Sequence, residues 1–316
     1  MAALYNAVVI RLGVVLATVA VLGGFAACAK DDDKGAEQAG PAPRAAPTPD
    51  APPARKLSGT TNGLHWWLYD RPEDALKKAL ESKPRVIGFG EYHEQAGGPE
   101  IVPPMERFSQ HMLDVIAPYT SDLLLETWVA DRRCGKRQAR VDKTVKKQLE
   151  RPKHQETTMA RLLRRTRARR IQPHRLVFSC AEYKSLLDKK TKKIDYANLL
   201  RLITQKLAET TAKILDHQAK TNFKRKTIAI YGGAFHNEKY PYDHYRQLSF
   251  VKDVEKLASY VEVDIFVPEI IRGNKRLSKE PFYPLFKTLA SDDKVLLIER
   301  GKNSFIMVMR QNQKQP

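Results

Sequence analysis

Glu91, His93, Glu126 and His236 combine side-chain type and setting in a way that could do chemistry. The first two lie in Gly90-Glu91-Tyr92-His93-Glu94, directly after the apolar run that starts at Val86. Glu126 closes Asp122-Leu-Leu-Leu-Glu. His236 follows Thr227-Ile-Ala-Ile-Tyr-Gly-Gly-Ala-Phe. Two imidazoles and two carboxylates on one rim can bind a divalent metal, or run acid–base chemistry on a bound ester, amide or phosphate. All four are candidate catalytic groups, and His93, Glu126 and His236 are candidate metal ligands. Tyr92, Asn237, His244 and Tyr245 are nearby in sequence and are candidate cofactor contacts, since Tyr and His also ligate iron. Each residue has a plainer alternative. Glu91 could cap a backbone amide, His93 could sit in a surface loop, Glu126 could be a buried partner for an Arg, and 240–245 could be an ordinary aromatic loop. The glycines flanking the motifs allow sharp turns and close approach of a ligand. Glu126 follows three leucines and is expected to be the most buried of the four.

The elements that must position these residues alternate. A helix opens at Arg71-Pro72-Glu73-Asp74, where Pro and acids suit a first turn, and shows Ala75, Leu76, Ala79 and Leu80 on one face. A strand follows Lys83-Pro84 and ends at Glu91. Met105, Phe108, Met112 and Ile116 recur at helical spacing. Asp122–Trp128, Leu176–Cys180, Thr227–Tyr231 and Val261–Val267 read as buried strands, and Tyr196–His217 as a long amphipathic helix. Val295–Glu299 and Ser304–Met309 read as a hairpin around Gly301-Lys302-Asn303. The pattern predicts an α/β fold: a mainly parallel sheet flanked by helices, with the antiparallel C-terminal hairpin at one edge. Parallel strands end on one side, so all four candidate residues are expected on the same rim. No Rossmann fingerprint, Walker loop or Gly-x-Ser-x-Gly elbow occurs.

At these positions the sequence resembles a known superfamily. Gly90-Glu91-Tyr92-His93, Leu124-Leu125-Glu126 and Gly233-Ala234-Phe235-His236 resemble the motifs of the ChaN-like haem-binding lipoproteins, which are grouped with the erythromycin esterases and the TraB/Tiki proteins. The resemblance spans about Lys83 to Val267. It implies an α/β fold with the binding or active rim at the motifs, and haem/iron or a divalent metal as the cofactor. In its binding form the rim holds a small-molecule ligand. In its hydrolytic form, a metal-dependent hydrolase, His93 or Glu91 is the base, and His236 is a metal ligand or electrostatic stabiliser; a third reading, from another class, is a non-catalytic envelope scaffold. The segment Gly97-Gly98-Pro99-Glu100 lacks the extra His that ChaN-like members often carry there; the next is His111.

The N-terminus sets the compartment. Arg11 is the only charge in the first 29 residues, and Leu12 to Ala27 is an uncharged run too short for a spanning helix. Phe25-Ala26-Ala27-Cys28 resembles a bacterial lipoprotein cleavage box, so residues 1–27 are expected to be a signal peptide and Cys28 the lipidation site. An uncleaved membrane helix is the alternative. Residues 28–57 form a tether; Ala29 to Lys56 holds 6 Pro and 8 Ala, reaching at most ~90 Å at ~3.1 Å per residue. The folded part is 58–316. The expected location is the bacterial cell envelope, exported and lipid-anchored. There Cys134 and Cys180 either form a disulfide or remain as buried thiols.

The chain has 316 residues and a formal charge of +19. Its mean hydropathy of −0.49 excludes a polytopic membrane protein. Residues 131–175 carry 17 Lys and Arg against 4 Asp and Glu. This segment reads as a basic, partly helical insertion. It lacks interleaved aromatics for base stacking, and export removes it from nucleic acid, so its expected partner is anionic lipid or surface polymer.

Overall fold

The structure, a computed structural model, describes residues 57–93, 101–131, 134, 155–188, 190–191, 193–290 and 293–310. The signal, Cys28, all of the tether but Leu57, and about half of the basic segment (residues 132–133 and 135–154) lie outside them. Among the described residues no helix is long and apolar enough to cross a membrane.

Nine strands form a single sheet. In chain order they are β1 (Leu57–Thr61), β2 (Leu64–Tyr69), β3 (Val86–Glu91), β4 (Thr120–Ala130), β5 (Gln172–Phe178), β6 (Thr227–Gly233), β7 (Tyr260–Phe266), β8 (Val295–Gly301) and β9 (Ser304–Val308). Their spatial order is β1-β2-β8-β9-β7-β3-β6-β4-β5. The block from β9 to β5 is parallel throughout. β8 runs antiparallel to β9 and to β2, and β1 antiparallel to β2. The mainly parallel sheet with an antiparallel hairpin on one side is therefore present, and β1–β2 extends that side outward.

The helices are α1 (Pro72–Ala79), α2 (104–116), α3 (Gln155–Ala168), α4 (Cys180–Ser185), α5 (Tyr196–Lys220), α6 (Ala234–Asn237), α7 (Val251–Glu255), α8 (Pro268–Ile271) and α9 (Tyr283–Leu289). Helix α2 carries a π-helical turn at Phe108–Met112. Period-2 alternation splits the parallel strands other than the edge strand β5 between the cores on the two faces of the sheet. Ile87, Phe89, Leu125, Tyr231 and Val263 pack under α1, α2 and α3. Val86, Leu124, Ile228 and Ile230 pack under α5 and α7. A third cluster joins β8 and β9 to α8 and α9.

Four boundaries differ from the sequence reading. A first strand, β1, which the sequence reading did not include, starts at Leu57, and Asn62 and Gly63, at φ 50° and 78°, turn it back onto β2. The basic 131–175 stretch is not wholly an insertion. Its helix α3 buries Met159 and Leu162 in the core and serves as the crossover from β4 to β5. β5 spans Gln172–Phe178 rather than Leu176–Cys180; as an edge strand it tolerates Pro173. Cys180 opens α4, where Ser179 and Glu182 form a reciprocal capping box. Cys180 is bonded to Cys134, with Cα atoms 5.2 Å apart.

Candidate functional site

Strand order decides what meets at the rim. β6 lies between β3 and β4, so Gly232-Gly233 separates the Glu91–His93 side from Glu126. On the first side, His93 Nδ1 lies 2.7 Å from Glu91 Oε1. The Tyr231 hydroxyl donates to Glu91 Oε2. Phe108, in the π-helical turn of α2, packs on Tyr231 and Phe89 with ring centroids 4.7 and 4.9 Å away. A carboxylate only accepts, so Nδ1 is the nitrogen of His93 that donates. Burial first, then the Glu91 charge, pushes the Tyr231 hydroxyl far above its ordinary range, so it stays a donor.

On the second side β4 bulges. Leu125 pairs with Arg175 of β5, but the next partners are Trp128 and Leu176, leaving Glu126 and Thr127 unpaired. Pairing of β4 with β6 also stops at Leu125–Tyr231. The bulge re-aims the Glu126 side chain over β6, where the Gly233 N–H donates to its Oε2 at 2.5 Å. His236, in α6, is fixed through Nδ1, 2.9 Å from the Leu248 carbonyl and from Thr204 Oγ1. Its Nε2 stands 3.6 Å from Glu126 Oε1, which has no hydrogen-bond partner among the described residues. When Nδ1 donates to that carbonyl, a proton on Nε2 or a bound donor is needed between imidazole and carboxylate.

The two sides converge on Gly233. A Cβ placed there would lie 3.1 Å from His93 Nε2 and 3.4 Å from Glu126 Oε2. Glu91, His93, Glu126 and His236 are thus brought together over one backbone cradle. One expectation fails: His236 is the most buried of the four at 2% exposure, against 4% for Glu126, because α6 folds under α5 and residues 243–250.

The remaining candidates go elsewhere. Asn237 is wholly buried and donates to the Phe89 and Gly233 carbonyls, a structural role rather than a ligand contact. His244 is exposed, with its ring 3.9 Å from that of Tyr245. Tyr92 and Tyr245 line a neighbouring cavity. The metal set His93, Glu126 and His236 is also looser than expected. Among the described residues, the one group of three or more such side chains with ligand atoms within 4.8 Å of one another is Glu238, Glu262 and Asp264. The Arg300 guanidinium already occupies that group, 2.6 Å from Glu262 and 3.0 Å from Asp264. Neither set is a closed metal centre.

Sequence reasoning missed Tyr231 and Thr204, which read as ordinary core positions. It also missed Glu262 and Asp264. Their signal was present: two acids at period 2 in an otherwise apolar strand. No family model, no curated protein and no solved structure matches this chain.

Proposed function

We propose that the chain is an envelope hydrolase of the erythromycin-esterase type, in which His93 is the general base. The observation that carries this reading is the Tyr231–Glu91–His93 hydrogen-bond chain, with His93 Nε2 over the Gly233 cradle. Glu91 holds the imidazole in one tautomer and stabilises its protonated form. In the proposed step His93 Nε2 takes a proton from water, the hydroxide oxygen bonds to an ester carbonyl carbon, and the alkoxide leaves with the proton returned by His93. Glu126 and His236 face the same space and would polarise the reacting group. No step is routed through a metal, because the ligand atoms are not drawn together.

The proposal includes export, with Cys28 as the lipid anchor and the 131–175 segment as the contact with anionic lipid. The activity is tested with a panel of short-chain nitrophenyl and sugar esters on the purified chain, with a haem titration beside it. His93→Ala should lower the rate by roughly 10²–10⁴-fold with an unchanged melting temperature. A full rate in His93→Ala, or a Soret shift on adding haem that His93→Ala and His236→Ala abolish, would sink the hydrolase reading.

A further inference from the structure

The cavity of about 210 Å³ beside the Glu–His rim has a composition of its own. Phe235 and Tyr245, with centroids 5.2 Å apart, form one wall, and Arg276 lies over both rings at 4.5 and 4.6 Å. Tyr92 forms another wall, edge-on to Phe266 at 5.0 Å. The exposed rings of Tyr240 and Tyr242 stand at the mouth.

The polar groups of this cavity are balanced in sign and incompletely paired. Arg300 bridges Glu262, Asp264 and Glu238, and Glu280 accepts from the Tyr242 hydroxyl at 3.0 Å. Asp264 Oδ1, Arg276 Nη1 and Arg300 Nε are buried and without hydrogen-bond partners among the described residues. Asp264 is 1% exposed and lines the cavity. Leaving such atoms without partners is costly, and all three belong to residues lining one space. Burial first, then the Glu262 charge, raises the Asp264 carboxyl well above the usual carboxylate range.

The ligand class follows by elimination. An organic cation would meet two guanidinium groups, one of which already covers the ring faces that would bind it. An anion would meet Glu238, Glu280 and the Glu262–Asp264 pair. A neutral ligand with hydroxyls that both donate and accept, and with an apolar face for the rings, satisfies every group present. We propose that this cavity is a binding subsite for a neutral sugar ring, held between Tyr92, Phe235 and Tyr245, covered at the mouth by the Tyr242 ring, and hydrogen-bonded by Asp264, Arg276 and Arg300. The proposal stands whether or not His93 is catalytic.

Isothermal titration of the full chain tests it, using glucose, galactose, N-acetylglucosamine and their β-linked dimers, with choline and benzoate as the charged comparisons. At least one saccharide should bind at millimolar concentration. Arg276→Met and Tyr242→Ala should each weaken it about tenfold, one lost interaction of ~1.4 kcal/mol, while His93→Ala leaves it unchanged. Tyr242 is exposed, so its variant carries the test if Arg276→Met does not fold. The proposal is overturned if no saccharide in the panel binds, if choline or benzoate binds more tightly, or if saccharide binding survives in every folded variant.

Discussion

Gly232 and Gly233 show how the site is made from what is missing. A Cβ on Gly232 would fall 2.4 Å from Glu126 Oε2 and 2.7 Å from Glu126 Cβ, whereas one on Gly233 meets His93 Nε2 at 3.1 Å. Gly232→Ala must therefore displace the buried Glu126 and should destabilise by about 1–3 kcal/mol, as overpacking does, measured by urea unfolding. Gly233→Ala should leave stability nearly intact and reduce turnover, because it only pushes His93 out of the cradle. Equal stability losses in both variants would contradict this assignment of the two glycines. Glu262 supports a pH prediction. Burial first, offset by the Arg300 charge, pushes its carboxyl up to about 7 from 4.5. A raised acid favours the protonated folded form, so its contribution to stability falls as pH rises from about 4.5 to 7. Glu262→Gln should flatten that decline in melting temperature; an unchanged slope would show that the group is not perturbed. The four rim residues were legible because reactive side chains stood at the ends of apolar runs. Tyr231 was not, because its hydroxyl acquires a role only when β6 is set beside β3, and strand order is not written in local pattern.

At the scale of elements, β4 carries the most consequence. Its bulge at Glu126–Thr127 ends pairing with β6 and turns a carboxylate over a neighbouring strand. The sequence Leu-Leu-Leu-Glu-Thr-Trp reads only as a buried strand, and nothing in it marks the two extra residues. The β1–β2 turn is the opposite case: Asn62-Gly63 is a strong hairpin signal, overlooked because Leu64-His-Trp-Trp-Leu-Tyr does not alternate. Beyond the end of β4, Cys134 is bonded to Cys180 at the start of α4, 46 residues away. The bond pins the outermost crossover, where β5 has a neighbour on only one side. Cys134→Ser should lower unfolding stability by roughly 4 kcal/mol on loop-entropy grounds. The check is denaturant unfolding of both proteins, with thiol titration of the unreduced wild type. Two free thiols in the wild type, or equal stability, would refute the link.

For the whole molecule, the open question is what a chain of charge +19 is held against. Much of that charge lies in residues 131–175, with 17 Lys and Arg against 4 Asp and Glu. The charge of residues 131–175 fits contact with an anionic surface. One lipid chain gives marginal membrane binding, and a polybasic segment supplies the second attachment. The proposed anchor at Cys28 and the proposed contact at 131–175 are separable on that basis. Cys28→Ser should lose labelling by a fatty-acid tracer in cells and lose binding to neutral vesicles. It should still bind vesicles rich in anionic lipid at ~0.1 M salt and release near ~1 M, where the screening length falls from ~10 to ~3 Å. Labelling that survives Cys28→Ser would place the lipid elsewhere. Binding to anionic vesicles that resists high salt would mean that apolar insertion, not the basic segment, holds the chain to the bilayer.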